Sequence, residues 1–477
     1  MNTRRLDRAS VGLISISLIF ILTIVLLILM PTEIDEEFAD TWLACTFSLA
    51  ISLFVLLHMY MKYDLDFFSP VVYVSLLYLI MFFVTPIYDI TVGETDCFGV
   101  TDLFLYGVKG SFVALAGFLS FCFFYQFRQN RLLKKPEPVQ ELKLSDADRE
   151  KLAQNLLAAW VLVVFLAIVL TVFTTGFSIS YMLSFGLTGS VTDRNSNHAS
   201  LGFLIQFTRC IVTIAVLYFC YSKNKTLRYV VLFVTALVEV SNGFRYMIVI
   251  LLVSVFYVQY LVLGRKIKIG HAIMVLVLLM LIIGLIGYTR DAVRRGEGAD
   301  TSGFSLKFVF DALLSNFRIY KSYYGVIKAV PQIVPYIYFD QIVVYTLIMA
   351  IPRAIWKGKP TSSNSVAQLY GLNYTAVQSG FAYPCIGEYF EGFGLFGVLF
   401  FMGCYGAWLS RISVKYRIRC RCAADYVYYA VIVATMLQLI IRGYTPSNFY
   451  LVVTLSVPYW LTISYIKKHA EVEETHE

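Results

Sequence analysis

Apolar runs of roughly 18 to 22 residues recur along the whole chain, and a helix of about 20 residues is what a hydrocarbon core of roughly 30 Å requires. The pattern predicts an all-α, polytopic membrane protein with about twelve transmembrane helices. They fall near residues 10–30, 41–61, 70–88, 103–125, 152–174, 201–221, 228–240, 245–263, 270–289, 393–410, 424–441 and 448–466. The longest interval without a clear span is 290–392. The predicted organisation is therefore nine spans over 1–289 with a cytoplasmic linker at 126–151, a large extracytoplasmic loop over 290–392, and three spans plus a tail over 393–477.

Aromatics and Lys within 304–349 suit amphipathic helices lying in the interfacial plane, with a hidden pair of extra spans as the competing reading. Composition agrees with a membrane protein: of 477 residues, 58% are hydrophobic and 15% charged, and the mean hydropathy is +0.71. Such a chain is too apolar for a soluble domain.

Charge orients the spans, because short loops retain Lys and Arg on the cytoplasmic side. The tail with Arg4, Arg5 and Arg8, the 126–151 linker, and the turns with Lys223, Lys225 and Arg228 and with Arg265, Lys266 and Lys268 all fall on one side. The run from Arg411 to Arg421 and the end with Lys467 and Lys468 join them if the span count is even, so both termini are expected in the cytoplasm. Loops 31–40 and 89–102 contain acids and no basic residue, and belong outside. The net charge of +8 is thus mostly a retention signal. No basic face with interleaved aromatics stands on a soluble domain, so no nucleic-acid partner is expected.

Several polar groups fall where the membrane pattern does not need them. Arg290, Arg294 and Arg295 emerge from the end of the ninth span, with 290 and 294 on one helical face. Arginine suits phosphate because its planar fork offers paired donors and keeps its proton. Arg442 stands at another helix end near the same loop, Arg353 lies in the large loop, and Arg194 with His198 lies in the outer loop 175–200. Glu239 and Arg245 flank the tight turn between the seventh and eighth spans, either as a structural ion pair or lining a polar cavity. Glu388 and Glu391, beside the mouth of the tenth span, are the first candidates for a general base, with Glu239 and His198 behind them. Cys97 and Cys385 could pair on an oxidising outer side. No outer Asp-x-Asp cluster, paired-His metal motif, P-loop or nucleophile triad occurs in the chain, so neither metal nor cofactor is expected.

Three stretches carry a resemblance: Ser241-Asn-Gly-Phe-Arg245, Ile351-Pro-Arg-Ala-Ile-Trp-Lys-Gly-Lys-Pro360, and Gly387-Glu-Tyr-Phe-Glu-Gly-Phe-Gly-Leu-Phe-Gly397 entering a span. With the span layout, they resemble the Wzy-type polymerases of bacterial O-antigen and capsular repeat units. The resemblance implies a GT-C-like, inverting, metal-independent glycosyltransferase of the bacterial cytoplasmic membrane. It would transfer a growing glycan from undecaprenyl diphosphate to a new lipid-linked repeat unit at the outer face. Under it, Arg245, Arg290 and Arg353 match in motif position, and Arg294, Arg295 and Arg194 match by loop, as ligands of donor and acceptor. Undecaprenyl-diphosphate-linked glycans and membrane lipid become the expected partners, with a chain-length regulator and a flippase of the same pathway. The competing functions are an O-antigen ligase-like transferase and a flippase or exporter of lipid-linked oligosaccharide. The last should show internal repeats and ionisable residues along a central path, and neither is seen.

Overall fold

The computed structural model describes residues 36–63, 68–95, 100, 102–135, 139–175, 206–241, 245–264, 314, 317–351, 355, 356, 358, 359 and 383–473. In chain order the helices are α1 (Glu36–Tyr63), α2 (Pro70–Leu79), α3 (Thr85–Thr91), α4 (Gly107–Leu133), α5 (Asp146–Thr175), α6 (Cys210–Tyr221), α7 (Lys225–Ser241) and α8 (Arg245–Leu261). They continue as α9 (Tyr320–Ala329), α10 (Thr346–Met349), α11 (Cys385–Ser413), α12 (Ala423–Ile441) and α13 (Thr445–His469). A wide turn at Ile80–Val84 joins α2 to α3 in one continuous rod, and a short 3-10 turn at Asp102–Tyr106 leads into α4. Strands β1 (Glu141–Lys143) and β2 (Glu471–Glu473) pair antiparallel.

Among the described residues, 7 helices are long and apolar enough to cross a membrane: Glu36–Lys62, Pro70–Thr91, Asp102–Leu133, Asp146–Leu170, Cys385–Ile418, Ala423–Ile441 and Thr445–His469. The predicted spans near 201–221, 228–240 and 245–263 fall on the shorter helices α6, α7 and α8. Those near 10–30 and 270–289 lie outside the described residues. The 31–40 loop is shorter than expected, because Glu36 and Glu37 already form the first turn of α1. Carboxylates are favourable there, where the helix presents unpaired N–H groups.

The two ends of the bundle differ in chemistry. At the basic end, arginines close helix C-termini: Arg419 donates to the carbonyl oxygens of Leu132 and Lys135 after α4, and Arg149 to Tyr221 at the end of α6. Each places a cation where the helix dipole is negative and carbonyls lack partners. The linker begins α5 with a cap, in which the backbone N–H of Asp148 donates to Ser145 Oγ while that hydroxyl donates to Asp148 Oδ2. The β1–β2 pairing puts the 126–151 linker and the C-terminal tail at this same end, as their shared basicity predicts.

The most extensive packing in the molecule joins α4 to α11. Glycine makes it possible, since a Cβ at Gly406 would lie 2.2 Å from the carbonyl oxygen of Phe121, and one at Gly403 would lie 2.7 Å from the Phe124 ring. Gly394 and Gly397 shape the outer part of α11. Helix α11 is broken at Phe393–Gly394, where Gly394 has φ +63°, and a Cβ at Gly397 would strike the Tyr389 carbonyl oxygen at 2.3 Å. They create a bend that divides α11 into a short outer piece, 385–392, and a long apolar one.

Within the 317–349 segment, α9 is enclosed by its neighbours. In α9, Tyr320, Tyr323 and Tyr324 are buried, and the helix packs against α4, α11 and the 3-10 turn. Tyr323 donates to the Gly110 carbonyl oxygen at 2.9 Å, and Tyr320 to Asp89 Oδ2 at 2.8 Å. These tyrosines are core anchors with satisfied hydroxyls. The neighbouring cations are equally occupied: Arg318 meets Asp89 at 3.0 Å and Glu94 at 3.4 Å, Lys321 meets Asp89 at 3.6 Å, and Lys328 pairs with Asp102. Part of the basic charge of the large loop therefore neutralises the acidic 89–102 loop. We call this the acidic end.

Candidate functional site

At the acidic end a short turn between α12 and α13, residues 442–445, is fixed from three sides. Asn448 Nδ2 donates to the Arg442 carbonyl oxygen at 2.7 Å. The Gly443 N–H donates to the Tyr383 carbonyl oxygen at 2.7 Å. Glu388 accepts the Thr445 N–H at 3.0 Å and the Thr445 hydroxyl at 2.8 Å. That carboxylate therefore caps the N-terminus of α13 from a different helix, satisfying a donor that α13 itself leaves open.

Gly443 cannot be replaced without moving backbone. A Cβ there would lie 2.6 Å from Cys385 Cα and 2.7 Å from the Pro384 carbonyl oxygen. Gly443→Ala is accordingly expected to destabilise the protein by about 1–3 kcal/mol, the usual range for overpacking, and to displace Arg442. A lowered melting temperature in detergent, together with loss of activity, checks this. An Ala variant with wild-type values for both would remove the turn from the site.

Glu391, one turn along α11 from Glu388, accepts the Tyr383 hydroxyl at 2.8 Å, and Gln341 Nε2 donates to that same hydroxyl at 3.2 Å. Burial and the Glu391 carboxyl hold the Tyr383 phenol well above its ordinary pKa, so it remains a donor. The outer piece of α11 ends where the backbone N–H groups of Ile337 and Tyr338 donate to the carbonyl oxygens of Glu391 and Gly392. Both glutamates are wholly buried. Both lie in the outer piece of a helix that begins at Cys385, and both are engaged by donors.

The side chain of Arg442, in contrast, is exposed. Neighbouring helices crowd it and draw its pKa below the ordinary arginine value, yet a guanidinium keeps its proton at any physiological pH. Its charge is coupled to the Tyr246 phenol. Over that same ring, 5.6 Å from its centroid, sits Arg209. Arg209 is buried at the start of α6 and interacts electrostatically with buried Glu239 on α7. Gln206 Nε2 reaches Ser447 Oγ at 3.3 Å, tying the start of α6 to the start of α13. The structure thus gathers Arg442, Arg209, Glu239 and Tyr246 on one side of the 442–445 turn, and Glu388, Glu391, Tyr383 and Gln341 on the other.

Arg209 was not among the sequence candidates. The available signal was one ionisable residue inside an apolar run, which by its cost in a membrane marks a functional position. Of the other candidates, Arg194, Arg290, Arg294, Arg295 and Arg353 lie outside the described residues, as does His198. Arg245 is the first residue of α8, and its side chain lies outside them too. From the same loop motif as Arg353, Lys359 is described, and its Nζ donates to the carbonyl oxygens of Met349 and Ile351 at 2.9 and 3.0 Å. Cys385 is a buried free thiol against Met402, and Cys97 lies outside the described residues. No group of three or more His, Cys, Asp or Glu side chains able to hold a metal ion occurs among the described residues.

A cluster of this kind, one exposed and one buried arginine at the end of an apolar helix bundle, can bind a polyanion in a water-poor setting. Comparison with known proteins adds the family. No curated protein sequence and no solved structure matches the chain. The family model for the O-antigen polysaccharide polymerase Wzy matches residues 13–470, nearly the entire chain. With its apolar helices and this arginine-bearing end, the chain is a multi-pass membrane protein that belongs to the O-antigen polysaccharide polymerase Wzy family.

Proposed function

We propose that this protein polymerises undecaprenyl-diphosphate-linked oligosaccharide repeat units by inverting, metal-independent glycosyl transfer, with the acidic end facing outward from the bacterial cytoplasmic membrane. The observation that carries the reading is the 442–445 turn, whose backbone is held by Asn448, Tyr383 and Glu388 while Arg442 keeps exposed surface.

In glycosyl transfer from a lipid diphosphate, the bond between the anomeric carbon and the phosphate oxygen breaks, and negative charge grows on the departing diphosphate. Donors already fixed in place stabilise that charge best, because no reorganisation is needed as it develops. Arg442 is such a donor. Arg245, Arg290, Arg294, Arg295, Arg353 and Arg194 are proposed to complete the cradle from the adjoining loops, with Arg290 nearest the reaction by its motif position. Glu388 acts through Arg442 as a positioning residue, and Glu391 holds Tyr383 and hence the backbone on which Gly443 rests.

The test is direct. Purified protein in detergent, given only lipid-linked repeat units, is expected to produce a ladder of longer glycans without nucleotide, and to do so equally in the presence of a chelator. No ladder with any lipid-linked repeat unit would overturn the polymerase reading, and a ladder abolished by the chelator would overturn its metal-independent form.

A further inference from the structure

We propose that Glu239 is the group that takes the proton from the acceptor sugar's hydroxyl during transfer, with Arg209 as its counter-charge. The inference deepens the polymerase reading and rests on it.

The argument is a contrast among buried carboxylates. Asp89 is met by Arg318, Lys321 and Tyr320. Asp425 receives the Arg421 N–H at 3.0 Å and the Tyr459 hydroxyl at 2.6 Å. Glu388 receives Thr445 and Glu391 receives Tyr383. Each is what a structural carboxylate should be, because a buried acceptor without a donor is costly. Glu239 departs from the pattern: it is 1% exposed, and neither of its oxygens has a hydrogen-bond donor among the described residues. Its nearest support is the field of Arg209, not a bond.

Position adds a second, independent reason. Glu239 lies at the acidic-end terminus of α7, and Arg209, whose charge acts on it, sits over the ring of Tyr246, whose phenol also interacts with the charge of Arg442. A donor diphosphate at Arg442 and an acceptor hydroxyl at Glu239 would therefore be linked through Arg209 and Tyr246. A sugar hydroxyl is the chemistry that fits, since it supplies the donor the carboxylate lacks and gives up its proton along that same contact. In the step, the hydroxyl oxygen bonds to the anomeric carbon and its proton passes to a carboxylate oxygen of Glu239. The bond from anomeric carbon to phosphate oxygen breaks, and its electron pair leaves with the lipid diphosphate. The carboxylic acid then returns the proton to solvent.

The experiment compares wild type, Glu239→Gln and Glu239→Asp in the ladder assay, with melting temperature in detergent measured in parallel. Positioned general bases are typically worth about 10²- to 10⁴-fold. Glu239→Gln is thus expected to lower kcat within that range while leaving KM for the repeat unit and the melting temperature unchanged. Glu239→Asp, which keeps the acid but draws it back, is expected to retain part of the rate. A Gln variant that polymerises at the wild-type rate would overturn the inference, as would one whose losses in kcat, KM and melting temperature run together. Should the Gln variant fail to fold, an Asp variant with wild-type kcat would overturn it alone, and one slowed at wild-type KM and stability would support it. A wild-type protein that makes no ladder would instead overturn the polymerase reading itself.

Discussion

Asp89→Ala is expected to be among the most damaging single substitutions to stability, costing about 3–5 kcal/mol. That is the usual result of removing one partner from a buried ionic contact. The carboxylate is fully enclosed and accepts Arg318 Nε at 3.0 Å and the Tyr320 hydroxyl at 2.8 Å, with Lys321 Nζ 3.6 Å away. Without it, two cations face an emptied, poorly solvated space, and the phenol loses its acceptor. Thermal unfolding in detergent measures the loss. Asp89→Asn should lose less because it keeps the shape, and Asp89→Asn combined with Arg318→Gln should recover part of that loss, since groups in one network do not contribute independently. An Asp89→Ala protein that melts with the wild type would show that α9 is held by its tyrosines alone.

Arg442→Lys is expected to have the largest effect on activity, a fall in kcat of about 10²- to 10³-fold, the scale seen when one preorganised donor to developing charge is lost. Lysine retains the charge but replaces a planar fork with a single hydrated ammonium, so paired contact with diphosphate oxygens is lost. Stability should hardly change. The turn is fixed through the Arg442 carbonyl oxygen, the Gly443 N–H and the Thr445 N–H, while the Arg442 side chain is exposed. Rates from the ladder assay and melting in detergent separate the two effects. A Lys variant at the wild-type rate would remove Arg442 from the diphosphate site.

Much of the bundle is legible in the sequence because apolar length reports membrane crossing directly. The spans predicted near 70–88, 424–441 and 448–466 match the structure to within a few residues, two of their ends falling on the observed termini at Pro70 and Ile441. Phe393, predicted as the start of the tenth span, is instead the break inside α11. Two glutamates in the outer piece made it read as loop, and only the fold reveals that Thr445 and Tyr383 satisfy them. Pairing hid in the same way. Arg318, Lys321 and Lys328 read as surplus positive charge because their partners, Asp89, Glu94 and Asp102, lie more than two hundred residues earlier. Arg209 escaped because nineteen neighbours of mostly apolar character dilute one guanidinium in a window of about twenty.

The fastening of α9 bears on movement. Through Arg318 and Lys321 it is bound to Asp89 at the end of α3, and along its other side it packs on α11. A carrier that admits cargo alternately from either face works by rocking one group of helices against another. Here the early and late helices are laced together at the acidic end by an ionic knot around buried Asp89, and below it by the glycine-lined crossing of α4 and α11. Each swing would have to strip those charges of their partners. A rigid frame of this sort suits a stationary workbench, at which the substrate's lipid tail slides in from the side while the protein stands still.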